Sequence, residues 1–268
     1  MESKIIVNDR IRIDDIRHTD LHMHTVFCDG KNTPEEMVLS AMEKGLECIG
    51  FSGHSYVDFD PECGMDEKNA ALYFAEVARL KEKYAGKIRI LCGVEQDCFS
   101  TVPTDMYDYV IGSVHYLRIN DNTQQGGYVY VAVDDEPEML LNAMQRYFDN
   151  DPYKMAQNYF DLETQVADMT GCDIVGHFDL ISKFNEKYHF MDEKDPRYIK
   201  AWRKAADRLI HQGRIFEINT GAISRGWRTV PYPDQQMQEY IGSAGGRFIL
   251  SSDSHEAGNI GFGFYSII

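Results

Sequence analysis

The chain has 268 residues, of which 43% are hydrophobic and 26% charged, and its formal net charge is −16. This length and composition fit one large α/β domain with a sizeable core. The acidic excess would repel a phosphate backbone, so a nucleic-acid partner is not expected. The N-terminus lacks an apolar signal core, no apolar run is long enough to span a membrane, and the cysteines form no Cys-x-x-Cys pair. We therefore expect a cytoplasmic protein with free thiols and no membrane partner.

Short apolar segments alternate with amphipathic ones along the chain. Seven strands are predicted, at residues 20–24, 48–54, 88–95, 109–115, 171–177, 214–219 and 247–255. Helices are predicted between them at residues 34–44, 66–84, 136–148, 152–169, 197–211 and 234–241. The first helix has the clearest start, with Thr33 as N-cap, Pro34 at the first helical position and Glu36 three residues past the cap. The insertion at 116–135 contains Gly126 and Gly127, which favour a hairpin there.

Alternating strands and helices indicate parallel strands. Seven such units favour a barrel related to the eight-fold (βα) barrel, with a doubly wound open sheet as the alternative. Polar residues fall at the C-terminal ends of the strands: His22 and His24, His54, Glu95, His115, His177, Glu217 and Asn219, and Asp253 and His255. Barrels of this type build their active site at that end from many strands at once, so one converging site explains the whole pattern.

The residue types at these strand ends indicate metal binding. On the first strand Asp20, His22 and His24 share one face, because side chains alternate along a strand. Imidazole and carboxylate ligands together suit zinc, iron or manganese. A lone strand histidine is more often structural than a ligand, but agreement among five strand ends reverses that expectation. His18, His189 and His211 lie outside this pattern and are expected to have ordinary structural roles.

These segments resemble the polymerase and histidinol phosphatase (PHP) superfamily. The motifs that carry the resemblance are Asp20-x-His22-x-His24, Asp29-Gly30, Pro34-Glu35-Glu36-Met37, Gly53-His54, Gly93-x-Glu95, Gly112-Ser113-Val114-His115, Gly176-His177 and Ser252-Asp253-Ser254-His255. Within the superfamily, the segments at 111–115 and 176–179 are most similar to the histidinol-phosphate phosphatases. The resemblance covers nearly the whole chain. It implies a single domain, residues 1–268, folded as a distorted seven-stranded (βα)7 TIM-like barrel.

The resemblance also implies two to three divalent metal ions and a set of ligands for them. His22, His24 and Asp253 would hold a first ion, and Glu95 would bridge it to a second ion held by His115 and His177. His54, His255 and Asp29 would hold a third ion. Two departures from the family pattern stand out. Ser52-Gly53-His54 replaces the Thr-Asp-His of many members, and the chain ends soon after Gly261, from which a less completely closed barrel is expected.

The chemistry expected of such a site is phosphate ester hydrolysis. A metal pair lowers the pKa of a bridging water, and the resulting hydroxide could attack phosphorus in line. We expect Glu95, Asp253 and His255 to be catalytic, and Asp20 to fix a ligand imidazole. Arg225 and Arg228, in the loop after the sixth strand, are candidates for binding phosphate, with Asn219 as a hydrogen-bonding partner of the substrate.

The resemblance favours hydrolysis of L-histidinol phosphate to L-histidinol and phosphate, a step of histidine biosynthesis. The acidic composition is consistent with this small phosphorylated substrate, which carries an amine and an imidazole. One alternative is the same fold acting on a nucleotide, a sugar phosphate or a nucleic-acid end. Another is a non-catalytic module with a degenerate site, which the nearly complete ligand set disfavours.

Overall fold

The computed structural model describes residues 5–124 and 126–266. Its strands are β1 (Ile5–Ile6), β2 (Arg12–Ile13), β3 (Thr19–Asp20), β4 (Cys48–Phe51), β5 (Arg89–Asp97), β6 (Tyr109–Ser113), β7 (Tyr116–Asn120), β8 (Tyr128–Ala132), β9 (Ile174–Val175), β10 (Ile215–Asn219) and β11 (Arg247–Ser251). Its α-helices are α1 (Pro34–Glu43), α2 (Glu67–Lys83), α3 (Pro137–Tyr147), α4 (Pro152–Glu163), α5 (Val166–Thr170), α6 (Asn185–Tyr188), α7 (Pro196–His211), α8 (Gly221–Ser224) and α9 (Gln235–Ser243). Short 3₁₀ helices lie at Ile16–His18, Leu180–Ser182 and Ala257–Asn259.

Seven parallel strands form the central sheet, in the order β11-β10-β9-β6-β5-β4-β3. The edge strands β3 and β11 approach each other through the residues that follow them. There His24 N donates to Ser254 O at 2.8 Å, and Ser254 N donates to His22 O at 3.3 Å. The sheet is therefore nearly closed into a barrel, which confirms the predicted fold over an open doubly wound sheet. Helices surround it, as the strand–helix alternation predicted.

Asp20 lies at this seam and has a different role from the one expected of it. Its fully buried carboxylate accepts hydrogen bonds from Ser252 N at 3.1 Å, Ser252 Oγ at 2.5 Å and Gly261 N at 3.0 Å. Burial raises its pKa, although these hydrogen bonds oppose the shift. The expectation that Asp20 fixes an imidazole is wrong, because its oxygens are used to join the first and last strands of the barrel.

The predicted helix boundaries hold where local signals were strong. At α1 the Thr33 side chain accepts from Glu36 N while the Glu36 carboxylate accepts from Thr33 N, which completes the expected capping box. The predicted helix at 152–169 is instead two helices, α4 and α5, interrupted at 164–165. The predicted hairpin in the insertion is present as the antiparallel pair β7 and β8. No helix among the described residues combines the length and apolar character needed to cross a membrane.

An N-terminal hairpin fills one end of the barrel. β1 and β2 pair antiparallel, and the hairpin places Val7, Ile11 and Ile13 in an interior cluster with strand residues such as Ile111 and Ile215. Hydrogen bonds hold the hairpin at the N-terminal ends of the barrel strands, where Arg89 donates to Arg12 O and Arg247 donates to Ile6 O. Access to the barrel interior from this end is therefore blocked, and the polar strand ends lie at the opposite end.

Tyr109 holds the strand that leads to the first two histidines. Its hydroxyl, inside the barrel, donates to Leu21 O at 2.5 Å and lies 3.2 Å from Phe51 O. The ring occupies the space left by two glycines, since a Cβ added at Gly93 would lie 2.2 Å from the ring and one at Gly50 would lie 2.2 Å from the hydroxyl. Short β3 leaves the Leu21 carbonyl outside the sheet ladder, and Tyr109 provides its buried partner.

Replacing Tyr109 by phenylalanine should therefore destabilise the fold. We expect Tyr109→Phe to lower the free energy of unfolding by about 1–3 kcal/mol, because the buried Leu21 carbonyl loses its donor. Urea denaturation would measure the change. Tyr107→Phe is the matched control, since the Tyr107 hydroxyl makes no side-chain hydrogen bond to the described residues, and it should change stability much less. Equal effects of the two substitutions would contradict this role for Tyr109.

Candidate metal centre

Glu95 lies where five strands converge at the open end of the barrel. It is near the C-terminal end of β5, and its backbone is held against the residues that follow β4 through Ser55 N donating to Glu95 O at 2.9 Å. The side chain is about 1% exposed. Its Oε1 lies 2.8 Å from His177 Nε2 and 3.0 Å from His115 Nε2. Its Oε2 lies 3.0 Å from His54 Nδ1 and 3.2 Å from His22 Nε2.

Asp253 approaches the same centre from the end of β11. Its Oδ1 lies 3.3 Å from His24 Nε2 and 3.7 Å from His22 Nε2. Its backbone has φ of +49°, a left-handed conformation that is uncommon outside glycine and often found at functional sites. Arg225 holds this conformation by donating to both the Asp253 carbonyl at 2.8 Å and Oδ2 at 3.0 Å.

Asp29 joins a further group of histidines toward solvent. Its Oδ1 lies 3.3 Å from His24 Nδ1, and its Oδ2 lies 3.0 Å from His255 Nε2 and 3.7 Å from His54 Nε2. The rings of His24 and His255 stack at 4.0 Å. One ligand atom from each of these four side chains lies within 4.8 Å of the others, as a shared cation would require.

All nine predicted ligands lie in this one region, and their grouping agrees with the expected sets for the first and third ions, with His24 added to the third. Three groups have ligand atoms close enough to share an ion: His24, Asp29, His54 and His255; His22, His24 and Asp253; and His54, Glu95 and His115. His54 therefore faces both Glu95 and Asp29. The assignment of each side chain to a particular ion stays a prediction.

The donor atoms themselves fit a divalent cation. Four buried atoms of the predicted ligands have no hydrogen-bond partner among the described residues: Nε2 of His22, Nε2 of His24, Oε2 of Glu95 and Nδ1 of His177. Burying polar atoms without partners is costly. The Nε2 atom of His22 lies beside Glu95 Oε2, and the Nε2 atom of His24 lies beside Asp253 Oδ1. A cation bound among these atoms would supply the missing partner.

The ionisation of the cluster follows from its mutual charges. Burial alone would lower the pKa of His22, but the carboxylates of Glu217 and Glu95 raise it well above its usual value. Burial would likewise raise the pKa of Glu95, but the imidazoles of His22 and His115 lower it well below its usual value. The carboxylates are therefore ionised at neutral pH, which is the form that coordinates a metal ion.

Two carboxylates behind the ligands fix the orientation of their rings. Glu217 Oε2 lies 2.8 Å from His22 Nδ1, and its Oε1 accepts from His177 N at 2.6 Å. Asp97 Oδ2 lies 3.2 Å from both Nδ1 and the backbone N of His115. A carboxylate on the second ring nitrogen sets the tautomer and raises ligand basicity. Asp97 was not predicted, although its position two residues after Glu95 on β5 was the available signal.

Two of the three side chains predicted to bind substrate do not reach the site. Arg228 has a side chain about 1% exposed, donates to Ser182 Oγ and pairs with Asp179 at 3.3 Å, so it holds the loop after β9. Asn219 is fully buried, and its Nδ2 donates to Glu217 Oε1 at 2.8 Å. The predictions for Arg228 and Asn219 are therefore wrong, because interior carboxylates already use their donors. Arg225 does reach the site, with its side chain 28% exposed.

A cavity of about 500 Å³ lies over the ligand cluster. Beyond the ligands, its wall includes two residues that the strand pattern did not indicate, Lys183 and Asp134. Lys183 Nζ donates to the Asp134 carbonyl at 2.5 Å. Lys183 lies several residues beyond the end of β9, after a 3₁₀ helix. Asp134 follows β8, which is outside the central sheet, so neither residue lies at the end of a barrel strand.

A parallel barrel whose open end gathers histidines and carboxylates in three overlapping clusters is the architecture of a metal-dependent barrel protein. The model of the PHP domain family matches residues 20–221, and the chain belongs to this family.

Known proteins are similar to this chain in sequence and in fold. A Schizosaccharomyces pombe protein named a probable histidinol-phosphatase is 26% identical, over 91% of this chain and 82% of its own. A crystal structure from Listeria monocytogenes matches with a TM-score of 0.78 at 20% identity, covering 93% of this chain and all of that one. The structure of histidinol phosphate phosphatase from Lactococcus lactis, complexed with zinc, L-histidinol and phosphate, matches with a TM-score of 0.63 at 20% identity, covering 89% of this chain and 86% of that one.

Replacing Glu217 by glutamine should weaken metal binding without removing a ligand. In Glu217→Gln an amide replaces one carboxylate oxygen, so either the His22 ring or the His177 backbone loses its acceptor. We expect affinity for a divalent ion to fall by about 10–100-fold. Competition with a chelator would measure it, with metal content determined by elemental analysis. Glu239→Gln, on the exposed part of α9, is the control and should bind metal like the unmodified protein. Unchanged affinity in Glu217→Gln would contradict the orienting role.

Proposed function

We propose that this protein is a metal-dependent phosphomonoesterase that hydrolyses L-histidinol phosphate to L-histidinol and phosphate, acting as a single domain. The observation that carries the proposal is the convergence of nine histidine, aspartate and glutamate ligands at the floor of a cavity that also contains Arg225 and Lys183. Membership of the PHP domain family supports it. So do the name of the Schizosaccharomyces pombe relative and the ligands of the Lactococcus lactis structure.

We propose that the cluster holds two to three divalent ions of zinc, iron or manganese. The ligands would be His22, His24, Asp29, His54, Glu95, His115, His177, Asp253 and His255. Bound ions of this kind would supply a hydroxide near neutral pH and neutralise charge on the phosphate oxygens. Glu95 is best placed to be shared between ions, because its two oxygens face different histidines.

The cationic side chains of the cavity would orient the phosphate group. Arg225 is held by Asp253 and lies 3.2 Å from His255 Nδ1, so its guanidinium is fixed beside the ligands. Its remaining N–H donors can bind phosphate oxygens. Lys183 lines the same cavity and adds an ammonium, whose position is set by the Asp134 carbonyl. Both charges would bring the ester to the ligand cluster and hold its phosphorus in place.

His255 would act as a neutral imidazole. Burial, together with the neighbouring imidazole of His24, lowers its pKa below the usual value, while a hydrogen bond with Asp29 opposes the shift. Neutral imidazole is the form that coordinates a metal ion. Asp253 remains ionised, because burial is outweighed by the Arg225 guanidinium and the pKa of Asp253 lies well below its usual value. The catalytic importance proposed for Glu95, Asp253 and His255 thus comes from holding ions.

Phosphate release from a substrate panel tests the proposal. With added manganese, zinc or iron, we expect kcat/KM for L-histidinol phosphate to exceed that for nucleotide and sugar phosphates by at least about tenfold. A chelator should abolish the activity, and added metal should restore it. Comparable rates on all esters would assign another substrate to the site. No activity with any metal would favour a non-catalytic module.

Removing one ligand should abolish turnover while the fold survives. His115→Ala leaves Glu95 without one of its four neighbouring imidazoles, and we expect kcat to fall by at least about 100-fold. Circular dichroism would confirm that the variant is folded, and metal analysis would show reduced occupancy. His211→Ala, at the exposed end of α7, should keep full activity. Near-normal activity in His115→Ala would remove this histidine from the metal site.

A further inference from the structure

The cavity continues beyond the metal ligands into an acidic region. The loop after β4 and the segment that contains the hairpin β7–β8 contribute Asp60, Glu62, Asp134 and Tyr116 to its lining. Arg225 lies beside Asp253 in the same cavity, where the metal ligands would bind the phosphate group. A phosphate ester bound at the metal ligands would extend its alcohol portion toward these carboxylates. The cavity therefore distinguishes the two ends of its substrate by charge.

Asp134 is the carboxylate of this lining most closely tied to the ligand cluster. The residue before it, Val133, donates its backbone N–H to His115 O at 2.9 Å, which fixes Asp134 next to a metal ligand. Lys183 Nζ lies 3.4 Å from Asp134 Oδ2 and donates to the Asp134 carbonyl. The other carboxylate oxygen, Oδ1, has no hydrogen-bond partner among the described residues, and the side chain is 30% exposed to the cavity. One oxygen of Asp134 thus remains for a ligand.

The ionisation of Asp134 agrees with this geometry. Burial alone would raise its pKa, but the Lys183 ammonium and the imidazoles of His115 and His177 lower it. Asp134 is therefore a carboxylate at neutral pH, although it is largely surrounded by protein. A carboxylate in such a position gains more from a cation than an exposed one does, because solvent screens it less.

Tyr116 adds an aromatic ring to the cavity lining beside the carboxylates, and other aromatic rings pack behind it. Tyr116 lines the cavity and donates its hydroxyl to Asp60 Oδ2 at 2.7 Å, which fixes that carboxylate. The Phe59 ring packs edge-on against Tyr116 at 4.9 Å and stacks on Tyr130 at 3.9 Å. Carboxylates beside aromatic rings are suited to organic cations, since both groups attract positive charge.

We infer that Asp134 selects phosphomonoesters whose alcohol portion carries a positive charge, such as an ammonium or an imidazolium. This inference rests on the proposed function and specifies how that site recognises its substrate. An uncharged alcohol would leave the Asp134 oxygen desolvated and unpaired, and a second anionic group would be repelled. The site would therefore reject neutral and polyanionic esters as well as favour cationic ones.

Two esters with different alcohol portions test the inference in the metal-loaded enzyme. L-Histidinol phosphate has a cationic alcohol portion, and p-nitrophenyl phosphate has an uncharged one. We expect Asp134→Asn to lower kcat/KM for L-histidinol phosphate by about tenfold or more and to change it little for p-nitrophenyl phosphate. Asp149→Asn is the matched control, because Asp149 forms an aspartate–lysine pair with Lys154 on the surface and its side chain is 83% exposed. This control should leave the ratio of the two values unchanged.

Each outcome bears on Asp134 separately from the proposed function. An equal loss on both esters would overturn the inference and give Asp134 a role in the ligand cluster. Unchanged kcat/KM values for both esters would also overturn the inference. If the unmodified protein hydrolyses neither ester, the proposed function fails, and calorimetric binding of L-histidinol decides the inference. Binding that weakens in Asp134→Asn supports it, and the absence of binding refutes it. Should Asp134→Asn lose metal, Asp134→Ser carries the same comparison of esters.

Discussion

The buried carboxylate of Glu95 is the interaction on which the site depends. Four imidazoles from four other strand ends lie within 3.2 Å of its two oxygens, and it is almost completely removed from solvent. A lone carboxylate in this position would be strongly unfavourable, and opposite charge is what makes the arrangement stable. β5 lies inside the sheet, with four strands on one side and two on the other, so the strand ends curve around Glu95 as the barrel closes.

The rest of the barrel keeps that arrangement in place and open on one side. The N-terminal hairpin fills the opposite end with apolar side chains, and Tyr109 secures the segment that leads to His22. Asp20 joins the first strand to the last, which brings Asp253 beside His22 and His24. These contacts are remote from any substrate. They determine the distances between the predicted ligands, because these ligands come from several different strands and loops.

The segments between the strands contribute the charged side chains that line the cavity beside the predicted metal ligands. Arg225 reaches the ligand cluster from the segment after β10, and Lys183 and Asp134 meet from segments 49 residues apart. The resulting cavity is lined by cations and predicted metal ligands, which suit a phosphate group, and by further carboxylates and the ring of Tyr116. That polarity agrees with a small ester that is anionic at one end and cationic at the other. It disfavours a nucleic-acid end, which would place further phosphates against these carboxylates.

The sequence by itself determined the seven parallel strands, the capping of α1 and the gathering of histidines and carboxylates from the strand ends at one end of a barrel. These features depend on local periodicity and on the rule that parallel strands end at the same edge, so they can be predicted without the contacts between loops. Only the tertiary structure decided the partners of side chains outside that pattern. Arg228 faces Asp179, 49 residues away, and Asp20 faces Ser252, 232 residues away. Arg228 and Asn219 donate to buried carboxylates instead of facing the cavity. No pattern along the chain reveals which distant segments pack together.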